Sequence, residues 1–281
     1  MIVSGSIDKV RKIIKKAKQQ GKTIGFVPTM GSLHCGHMSL VKRAKKECGF
    51  VIVSIFVNPA QFGPGEDFKC YPRNLDKDEN LLRQEGIDLI FYPKDDVMYP
   101  RDYSVYVEEG QLSSKLCGQF RSGHFKGVCT VVTKLFNIIV PDSAYFGQKD
   151  YQQAVILKRL VSDLNFSLKV RILPIIRDKD KLALSSRNRY LSEIERQSAL
   201  SLYSSLLLAK SLIKKGQRDS NEIIAAMKKL ILSKKTAKIE YIKIVDIQNL
   251  NNLDKIKGKL LIALAVYVGR TRLIDNIIVS A

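Results

Sequence analysis

Two histidines, His34 and His37, lie three residues apart with Gly36 between them. They follow a short apolar run that ends at Pro28, and the apolar spacing from Met38 onward predicts a helix. A helix that begins after a sharp turn directs its first backbone N–H groups outward, where they attract phosphate. The pattern therefore predicts a phosphate site at this turn. Zinc is the alternative for a histidine pair, but no further His or Cys pair has ligand spacing.

Positive charge for such a site is available further along the chain. Lys149 and Asp150 follow a short apolar stretch, and Arg187 follows Ser185 and Ser186. A lysine or an arginine would stabilise phosphate charge. Two structural alternatives stay open here. Lys149 and Asp150 could form a solvated ion pair, and the two serines could cap a helix.

Gln61 and Gln153 are neutral side chains that can both donate and accept hydrogen bonds. They could orient a small polar substrate. The sequence contains neither a G-x-S-x-G nucleophile motif nor a GxxxxGK[ST] phosphate loop. Phosphate handling would therefore depend on the turn at 28–37.

Strands and helices alternate over the first ninety residues. The pattern predicts helices at 7–17, 38–48 and 75–85, and strands at 23–27, 50–57 and 88–92. This order is typical of an α/β fold in which crossover helices connect parallel strands. Ligands of such sheets bind beyond the carboxyl ends of the strands. The histidine turn and the loop at 58–61 both fall there.

The alternation continues to about residue 176 and then stops. The pattern predicts strands at 103–107, 143–146 and 170–176, helices at 128–139, 154–164, 193–214 and 219–233, and β-rich stretches at 239–247 and 259–268. The predicted fold is α/β in residues 1–180, followed by a smaller α+β domain in residues 181–281. His34, His37 and His124 are all predicted to lie in loops.

The formal net charge of +20 at pH 7 is high for 281 residues. The basic residues are scattered over predicted helix faces, which favours a solvated surface over a nucleic-acid-binding tract. No apolar run reaches the ~18–20 residues of a membrane span, and the N-terminus lacks the pattern of a signal peptide. Five cysteines without a CxxC pair favour a reducing compartment. We therefore expect a cytoplasmic protein with no nucleic-acid or membrane partner.

The histidine turn has the form T-x-G-x-x-H-x-G-H. It resembles the HIGH signature of the adenylyl-transferring superfamily, which includes class I aminoacyl-tRNA synthetases and small nucleotidylyltransferases. A more specific set of motifs extends over almost the whole chain. These motifs are Phe26-Val-Pro-Thr-Met-Gly, Val53-Ser-Ile-Phe-Val-Asn-Pro-x-Gln-Phe, Tyr71-Pro-Arg, His124-Phe-x-Gly-Val, Phe146-Gly-x-Lys-Asp-Tyr-Gln-Gln, Leu184-Ser-Ser-Arg-Asn-x-Tyr-Leu and Arg272-Leu-Ile-Asp-Asn. Together they are similar to those of the pantoate–β-alanine ligase family.

The resemblance implies a reaction in two steps. ATP and pantoate would form pantoyl adenylate and pyrophosphate, and the β-alanine amine would then displace AMP to give pantothenate. It further implies a Rossmann-like N-terminal domain, a smaller C-terminal lid domain, a homodimer and Mg²⁺.

The resemblance also implies roles for individual residues. His37 would donate a proton, and His34, Lys149 and Arg187 would act on the phosphates. Gln61 and Gln153 would bind pantoate. The implied ATP-binding residues are Met30, Gly31, Ser32, Leu33, His34, Cys35, Gly36, His37, Gly147, Gln148, Lys149, Asp150, Ile176, Leu184, Ser185, Ser186 and Arg187.

Three features depart from the usual pattern of the family. Gln148 stands where glutamate is usual, and Ser122 replaces the proline of an Arg-Pro-Gly-His motif. The acidic pair sometimes assigned to metal is reduced to Asp76 and Asp78 around Lys77. The metal ligands therefore stay unassigned.

Two other functions stay open from the sequence. A nucleotidylyltransferase that joins AMP to a phosphate-bearing acceptor would also release pyrophosphate, but it would not need β-alanine to release AMP. A DNA- or RNA-binding module would use the basic charge and would show steep salt dependence. No stacking or base-reading motif supports this last function.

Overall fold

The computed structural model describes residues 1–281. Six strands form its main sheet: β1 (Ile2–Ser4), β2 (Ile24–Thr29), β3 (Phe50–Ile55), β4 (Leu89–Phe91), β5 (Ser143–Gly147) and β6 (Lys169–Leu173). All neighbouring strands are parallel, in the order β1-β4-β3-β2-β5-β6. Every residue of β3 is buried, which explains its continuous apolar run.

Six helices accompany this sheet in the sequence: α1 (Ile7–Gln19), α2 (Cys35–Glu47), α3 (Leu75–Gln84), α4 (Asp95–Met98), α5 (His124–Ile139) and α6 (Tyr151–Asp163). The first of them shows how local sequence determines these elements. The side chain of Ser6 accepts a hydrogen bond from the Lys9 N–H group and so caps α1. Val10, Ile14 and Ala17 recur at helical spacing and are buried.

The strand order decides which loops are neighbours. β2 pairs with β3 on one side and with β5 on the other. Because parallel strands end at the same edge of a sheet, the turn after β2 lies beside the loop that follows β3. The α/β fold predicted from the alternation of strands and helices is confirmed.

The chain divides into two compact units. The first unit comprises Met1–Ser114, Gly118–Gly147 and Gln153–Pro174, and the second comprises Lys115–Cys117, Gln148–Gln152 and Ile175–Ala281. The short segment after β5 thus belongs to the second unit, although β5 itself belongs to the first. The domain limits 1–180 and 181–281, and the role of the latter as a lid, stay predictions.

The second unit contains the long helix α7 (Glu193–Lys214), the helix α8 (Ser220–Leu232) and an antiparallel sheet. The sheet consists of β7 (Ala237–Asp246), β8 (Lys259–Val268) and β9 (Thr271–Ser280), in that order. Its core buries Leu206, Met227, Ile244 and Leu264 together. The predicted smaller α+β part is confirmed. None of the eight α-helices combines the length and the apolar character that crossing a membrane requires.

The strand predicted at 103–107 is wrong. Tyr103 and Tyr106 stack edge to face, with ring centroids 5.3 Å apart, and the Lys134 amine lies 4.4 Å from the Tyr103 ring centroid. The Val107 N–H group donates to the Thr130 hydroxyl at 2.9 Å. The segment therefore contacts α5. Its alternating apolar residues do not pair with a neighbouring strand. β1 and β9 lie outside all predicted strands.

Candidate active site

The backbone turns sharply between β2 and α2. Gly31 and Ser32 both have a positive φ, 79° and 51° respectively, which is unusual for serine. The Gly31 N–H group donates to Thr29 Oγ1 at 3.1 Å, and this hydroxyl donates to the Ser54 carbonyl on β3 at 2.8 Å. The order of strand, turn and helix predicted from the sequence is confirmed.

Asp78 on α3 stabilises this turn through hydrogen bonds to its backbone. Its side chain is 1% exposed, and its two oxygens accept the backbone N–H groups of Ser32 and Leu33, each at 2.8 Å. Burial raises the pKa of Asp78, and the two backbone hydrogen bonds oppose part of that rise because they favour the charged form. A Cβ atom at position 31 would lie 3.0 Å from Asp78 Oδ2, so Gly31 also gives the carboxylate room.

His34 and His37 cap the first turn of α2. Gly36 N–H donates to His34 Nδ1 at 3.1 Å, and His34 N–H donates to His37 Nδ1 at 3.4 Å. A neutral imidazole that accepts at Nδ1 carries its proton on Nε2. Each ring can therefore donate from Nε2 without becoming charged. The prediction that both histidines lie in a loop is wrong for His37, because the cap at His34 starts the helix at Cys35.

The loop after β3 places Gln61 beside Met30. Gln61 Nε2 donates to Met30 Sδ at 3.2 Å, and its Oε1 accepts from Asn58 Nδ2 at 3.1 Å. Asn58 is buried and accepts the Tyr99 hydroxyl on its Oδ1 at 2.7 Å. The sequence marked Asn58 only as a member of the motif that begins at Val53, with no role of its own, so its part in orienting Gln61 was missed.

Helix α5 approaches this loop very closely. Asn58 Nδ2 donates to the Gly127 carbonyl at 3.1 Å, and a Cβ atom at position 127 would lie 2.1 Å from the Ala60 carbonyl oxygen. Only glycine fits at such a distance. The glycine of the His124-Phe-x-Gly-Val motif therefore has a packing role.

His124 supports the same loop from the start of α5. Its Nδ1 lies 2.8 Å from the Gln61 carbonyl oxygen, and its Nε2 lies 3.0 Å from Arg121 Nη1. Because a guanidinium only donates, Nε2 is the acceptor and Nδ1–H donates to the carbonyl. Arg121 also pairs with Glu66 at 2.6 Å. Burial would raise the pKa of Glu66, but the hydrogen bond and charge of Arg121 hold it below its ordinary value.

His124 is therefore not a loop residue as predicted. It is the first residue of α5 and is buried. The helix starts earlier than its apolar spacing indicates because Gly123 precedes it with a positive φ of 75° and lets the chain turn directly into the helix.

In the second unit, a 3₁₀ turn at Gln148–Asp150 carries Lys149. Asn276 on β9 donates through Nδ2 to the carbonyl oxygens of Gln148 and Lys149, at 3.0 and 2.9 Å. Its Oδ1 accepts from Gln148 Nε2 at 3.2 Å. The backbone of Lys149 is thus fixed by a buried amide that the sequence did not assign to the site.

The segment from Ile176 to Arg187 forms a hairpin in the same unit. The Leu184 N–H group donates to the Ile176 carbonyl at 3.0 Å. The Ser185 hydroxyl accepts the Arg187 N–H group at 3.3 Å and caps the 3₁₀ helix Ser186–Tyr190. The capping alternative for Ser185 is therefore confirmed, and the hairpin brings Leu184 next to Ile176.

The candidate residues form two sets, each within one compact unit. The set in the first unit is Met30 to His37, Gln61, Gly147 and Gln153, and the set in the second unit is Gln148 to Asp150, Ile176 and Leu184 to Arg187. Gln153 lies in the first turn of α6. The binding and catalytic roles of these residues stay predictions.

The chain provides no cage of its own for a divalent cation. No group of three or more His, Cys, Asp and Glu side chains is arranged to hold a metal ion. Asp78 is a poor ligand because both of its oxygens already accept backbone N–H groups. Mg²⁺ commonly keeps several waters and binds through substrate phosphates with one or two carboxylates.

The sequence matches one family model along almost its whole length. The model is described as pantoate-beta-alanine ligase and matches residues 2–278. Among curated proteins, the chain is 53% identical over 280 residues to a pantothenate synthetase of Caldicellulosiruptor saccharolyticus, with 100% of both chains covered. It is 54% identical over 275 residues to a pantothenate synthetase of Fervidobacterium nodosum, with 98% of both chains covered.

Solved structures give the same result. Pantothenate synthetase of Thermus thermophilus superposes with a TM-score of 0.94 at 40% identity, and the match covers 99% of each chain. A pantoate-beta-alanine ligase of Francisella tularensis superposes with a TM-score of 0.80 at 36% identity, covering 99% of this chain and 97% of that one. The latter structure is described as a complex with beta-gamma ATP and beta-alanine.

Proposed function

The chain belongs to the pantoate–β-alanine ligase family, and we propose that it makes pantothenate through a pantoyl-adenylate intermediate. It is a ligase that joins pantoate to β-alanine. The relative solved with ATP and β-alanine supports ATP as the third substrate. The observation that supports the adenylate intermediate is the geometry of the first turn of α2, where two imidazoles accept backbone N–H groups at Nδ1.

In the first step, a carboxylate oxygen of pantoate attacks the α-phosphorus of ATP. The bond from this phosphorus to the oxygen that bridges to the β-phosphate breaks, and pyrophosphate leaves. The carboxylate is already ionised near neutral pH, so no general base is needed. The step requires alignment of the two reactants and stabilisation of the charge that passes onto pyrophosphate.

The residues of the first unit suit this requirement. The Nε2–H groups of His34 and His37 can donate to phosphate oxygens, whereas the Gly36 N–H group of α2 already donates to His34 Nδ1. We assign proton donation to His37. Gln61, oriented by Asn58 and next to Met30, would bind pantoate, together with Gln153.

The second unit contains the two cationic residues to which we assign a role, Lys149 and Arg187. Lys149 and Arg187 would stabilise the negative charge of the phosphates, which a carboxylate in their place would oppose. The backbone of Ile176 and the residues Leu184 to Ser186 would bind other parts of ATP. Gln148 and Asp150 flank Lys149 and would contact ATP as well.

In the second step, the amine nitrogen of β-alanine attacks the carbonyl carbon of pantoyl adenylate. A carbon–nitrogen bond forms, the carbon–oxygen bond to the phosphate breaks, and AMP leaves. The nitrogen loses a proton, and the product is an amide. The carboxylate oxygen that attacked ATP therefore stays on AMP.

The proposal is tested by following AMP. Release of AMP from ATP and pantoate should require β-alanine, and AMP release that is independent of β-alanine would overturn the ligase assignment. Pantoate labelled with oxygen-18 in its carboxylate should transfer one labelled oxygen to AMP. Unlabelled AMP would overturn the adenylate intermediate while leaving the ligase activity in place.

Three further expectations stay predictions. Mg²⁺ would enter on the ATP phosphates, and no step described above depends on it. A homodimer is expected in solution, and sedimentation equilibrium would measure it. The cytoplasmic location is expected from cysteine usage, and all five cysteines are free thiols in the structure.

A further inference from the structure

The motif Arg272-Leu-Ile-Asp-Asn contributed to the family resemblance without having a role. In the structure, its last two residues, Asp275 and Asn276, lie in β9 and are each only 3% exposed. Buried polar side chains destabilise a fold unless they are hydrogen-bonded. The partners of these two residues therefore indicate what they contribute.

Asn276 uses both ends of its amide on one short segment. Its Nδ2 donates to two consecutive carbonyl oxygens, those of Gln148 and Lys149, at 3.0 and 2.9 Å. Its Oδ1 accepts from the Gln148 side chain at 3.2 Å. One buried amide thus fixes the backbone directly at Lys149.

Asp275 holds the other candidate segment of the unit. Its oxygens accept two hydrogen bonds from the Arg177 guanidinium, at 2.6 and 2.9 Å, and the Asp275 side chain is 2% exposed. The Arg177 guanidinium also lies 3.7 Å from the Tyr203 ring centroid. Arg177 follows Ile176, whose carbonyl oxygen accepts the Leu184 N–H group and so closes the hairpin.

The two contacts follow from the geometry of a strand. Successive side chains of a strand point to opposite faces, and β9 pairs with β8 in unbroken register through this region. Asp275 and Asn276 therefore hold one segment on each face of β9. Leu273 and Val279, which share the face of Asp275, lie in the hydrophobic core of the unit.

We propose that Asn276 is a positioning residue for Lys149 and that Asp275 does the same for the hairpin at Ile176–Leu184. This inference depends on the proposed role of Lys149 in adenylation. The lysine amine sits at the end of a flexible four-carbon stem, so its position depends on a fixed backbone. A displacement of about 1 Å at a reacting group can cost ~10²-fold in rate. Loss of the amide should therefore lower adenylation rather than pantoate binding.

The test compares four variants in pantoate-dependent ATP–pyrophosphate exchange: Asn276→Ala, Asn276→Asp, Lys149→Ala and Val279→Ala. Asn276→Asp keeps the shape of the side chain but presents an acceptor to two carbonyl oxygens. Both Asn276 variants should lower kcat about 10-fold or more, with the KM for pantoate changed less than about twofold. Val279→Ala removes core packing on the same strand and should lower Tm while leaving kcat unchanged.

The double variant Lys149→Ala/Asn276→Ala decides whether Asn276 acts through Lys149. In the absence of the lysine amine, Asn276→Ala should cost less than about twofold, because coupled residues are not additive. The same loss in both backgrounds would overturn the positioning role and leave Lys149 in place. Near-normal exchange in Lys149→Ala alone would overturn the role of Lys149, and with it the positioning by Asn276.

Discussion

The turn after β2 and the turn after β5 are each held by a buried polar side chain that is distant in sequence, and these two side chains have opposite chemistry. Asp78 accepts two backbone N–H groups from the first turn and lies 46 residues from Ser32. Asn276 donates to two carbonyl groups of the second turn and lies 128 residues from Gln148. The first turn presents backbone N–H groups and therefore needs an acceptor, whereas the second presents carbonyl groups and needs a donor.

The two side chains also differ in charge, because Asp78 has a carboxylate and Asn276 a neutral amide. The negative charge of Asp78 is balanced by the N–H groups that it accepts, so it can lie close to the proposed phosphate turn. A carboxylate in the place of Asn276 would face two carbonyl oxygens and add a negative charge near Lys149. A neutral amide fixes the backbone and leaves the lysine charge unopposed, as its proposed role on phosphate requires.

The largest effects should come from the turn residues themselves. His37→Ala and Lys149→Ala should each lower the rate of pantoate-dependent pyrophosphate exchange by ~10²-fold or more, because in the proposed mechanism both side chains act on developing phosphate charge. Lys158→Ala, an exposed lysine on α6, is the matched control and should leave the rate unchanged. Near-normal exchange in either turn variant would remove that residue from its role.

The next effect should come from the side chain that holds the first turn. Asp78→Asn keeps the shape but replaces one acceptor with a donor that faces a backbone N–H group. An unsatisfied buried group costs about 1–3 kcal/mol, so we expect a lower Tm together with roughly 10-fold slower exchange. Asn80→Ala, exposed on the same helix, is the control. Exchange at the wild-type rate in Asp78→Asn would show that the histidine turn does not need this contact.

At a smaller scale, acid should destabilise the support of the loop after β3 by Glu66 and Arg121, but not the contacts of the turn after β5. The pKa of Glu66 is lowered in the folded protein, although burial opposes this, because Arg121 favours the carboxylate. Its contribution to stability is therefore present above the ordinary carboxyl pKa of about 4.3 and is lost as pH falls through the lower folded pKa. The contacts of Asn276 contain no titrating group and should not respond.

This acid response is measured by comparing the unfolding of the wild type and of Glu66→Gln between pH 7 and pH 3. The difference in unfolding free energy should be on the order of 1 kcal/mol at pH 7 and should shrink below about pH 4. Glu79→Gln, which breaks an exposed pair with Arg83, controls for general charge effects. A difference that persists unchanged to pH 3 would contradict the role of the Glu66 carboxylate.

The smallest effect should follow Gln148→Ala. This change removes the donor to Asn276 Oδ1 but leaves both bonds from Nδ2 to the backbone. Since two of three contacts survive, we expect exchange within about threefold of the wild type and a small loss of Tm. A loss as large as that of Asn276→Ala would mean that the side chain of Gln148 matters more than the backbone contacts.

Much of the fold could be predicted because it depends on local patterns. The alternation of strands with amphipathic helices is set by periodic apolar residues, and these predicted the parallel sheet correctly. The same signal failed at 103–107, where Tyr103 and Val107 contact α5, Val105 is exposed, and no strand partner is present. It also failed to mark His37 and His124 as helical, because capping and a glycine turn extend both helices beyond their apolar faces.

The sequence by itself determined the family of this protein and the candidate groups of its site: two histidines after a strand, and a lysine and an arginine at later loops. Only the tertiary structure decided how these groups are held. Asp78, Asn58, Arg121 and Asn276 act through hydrogen bonds to residues distant in sequence, and such contacts leave no periodic pattern. The structural role of a buried polar residue depends on its hydrogen-bond partners. These partners are known only from the tertiary structure, because the residue type alone does not specify them.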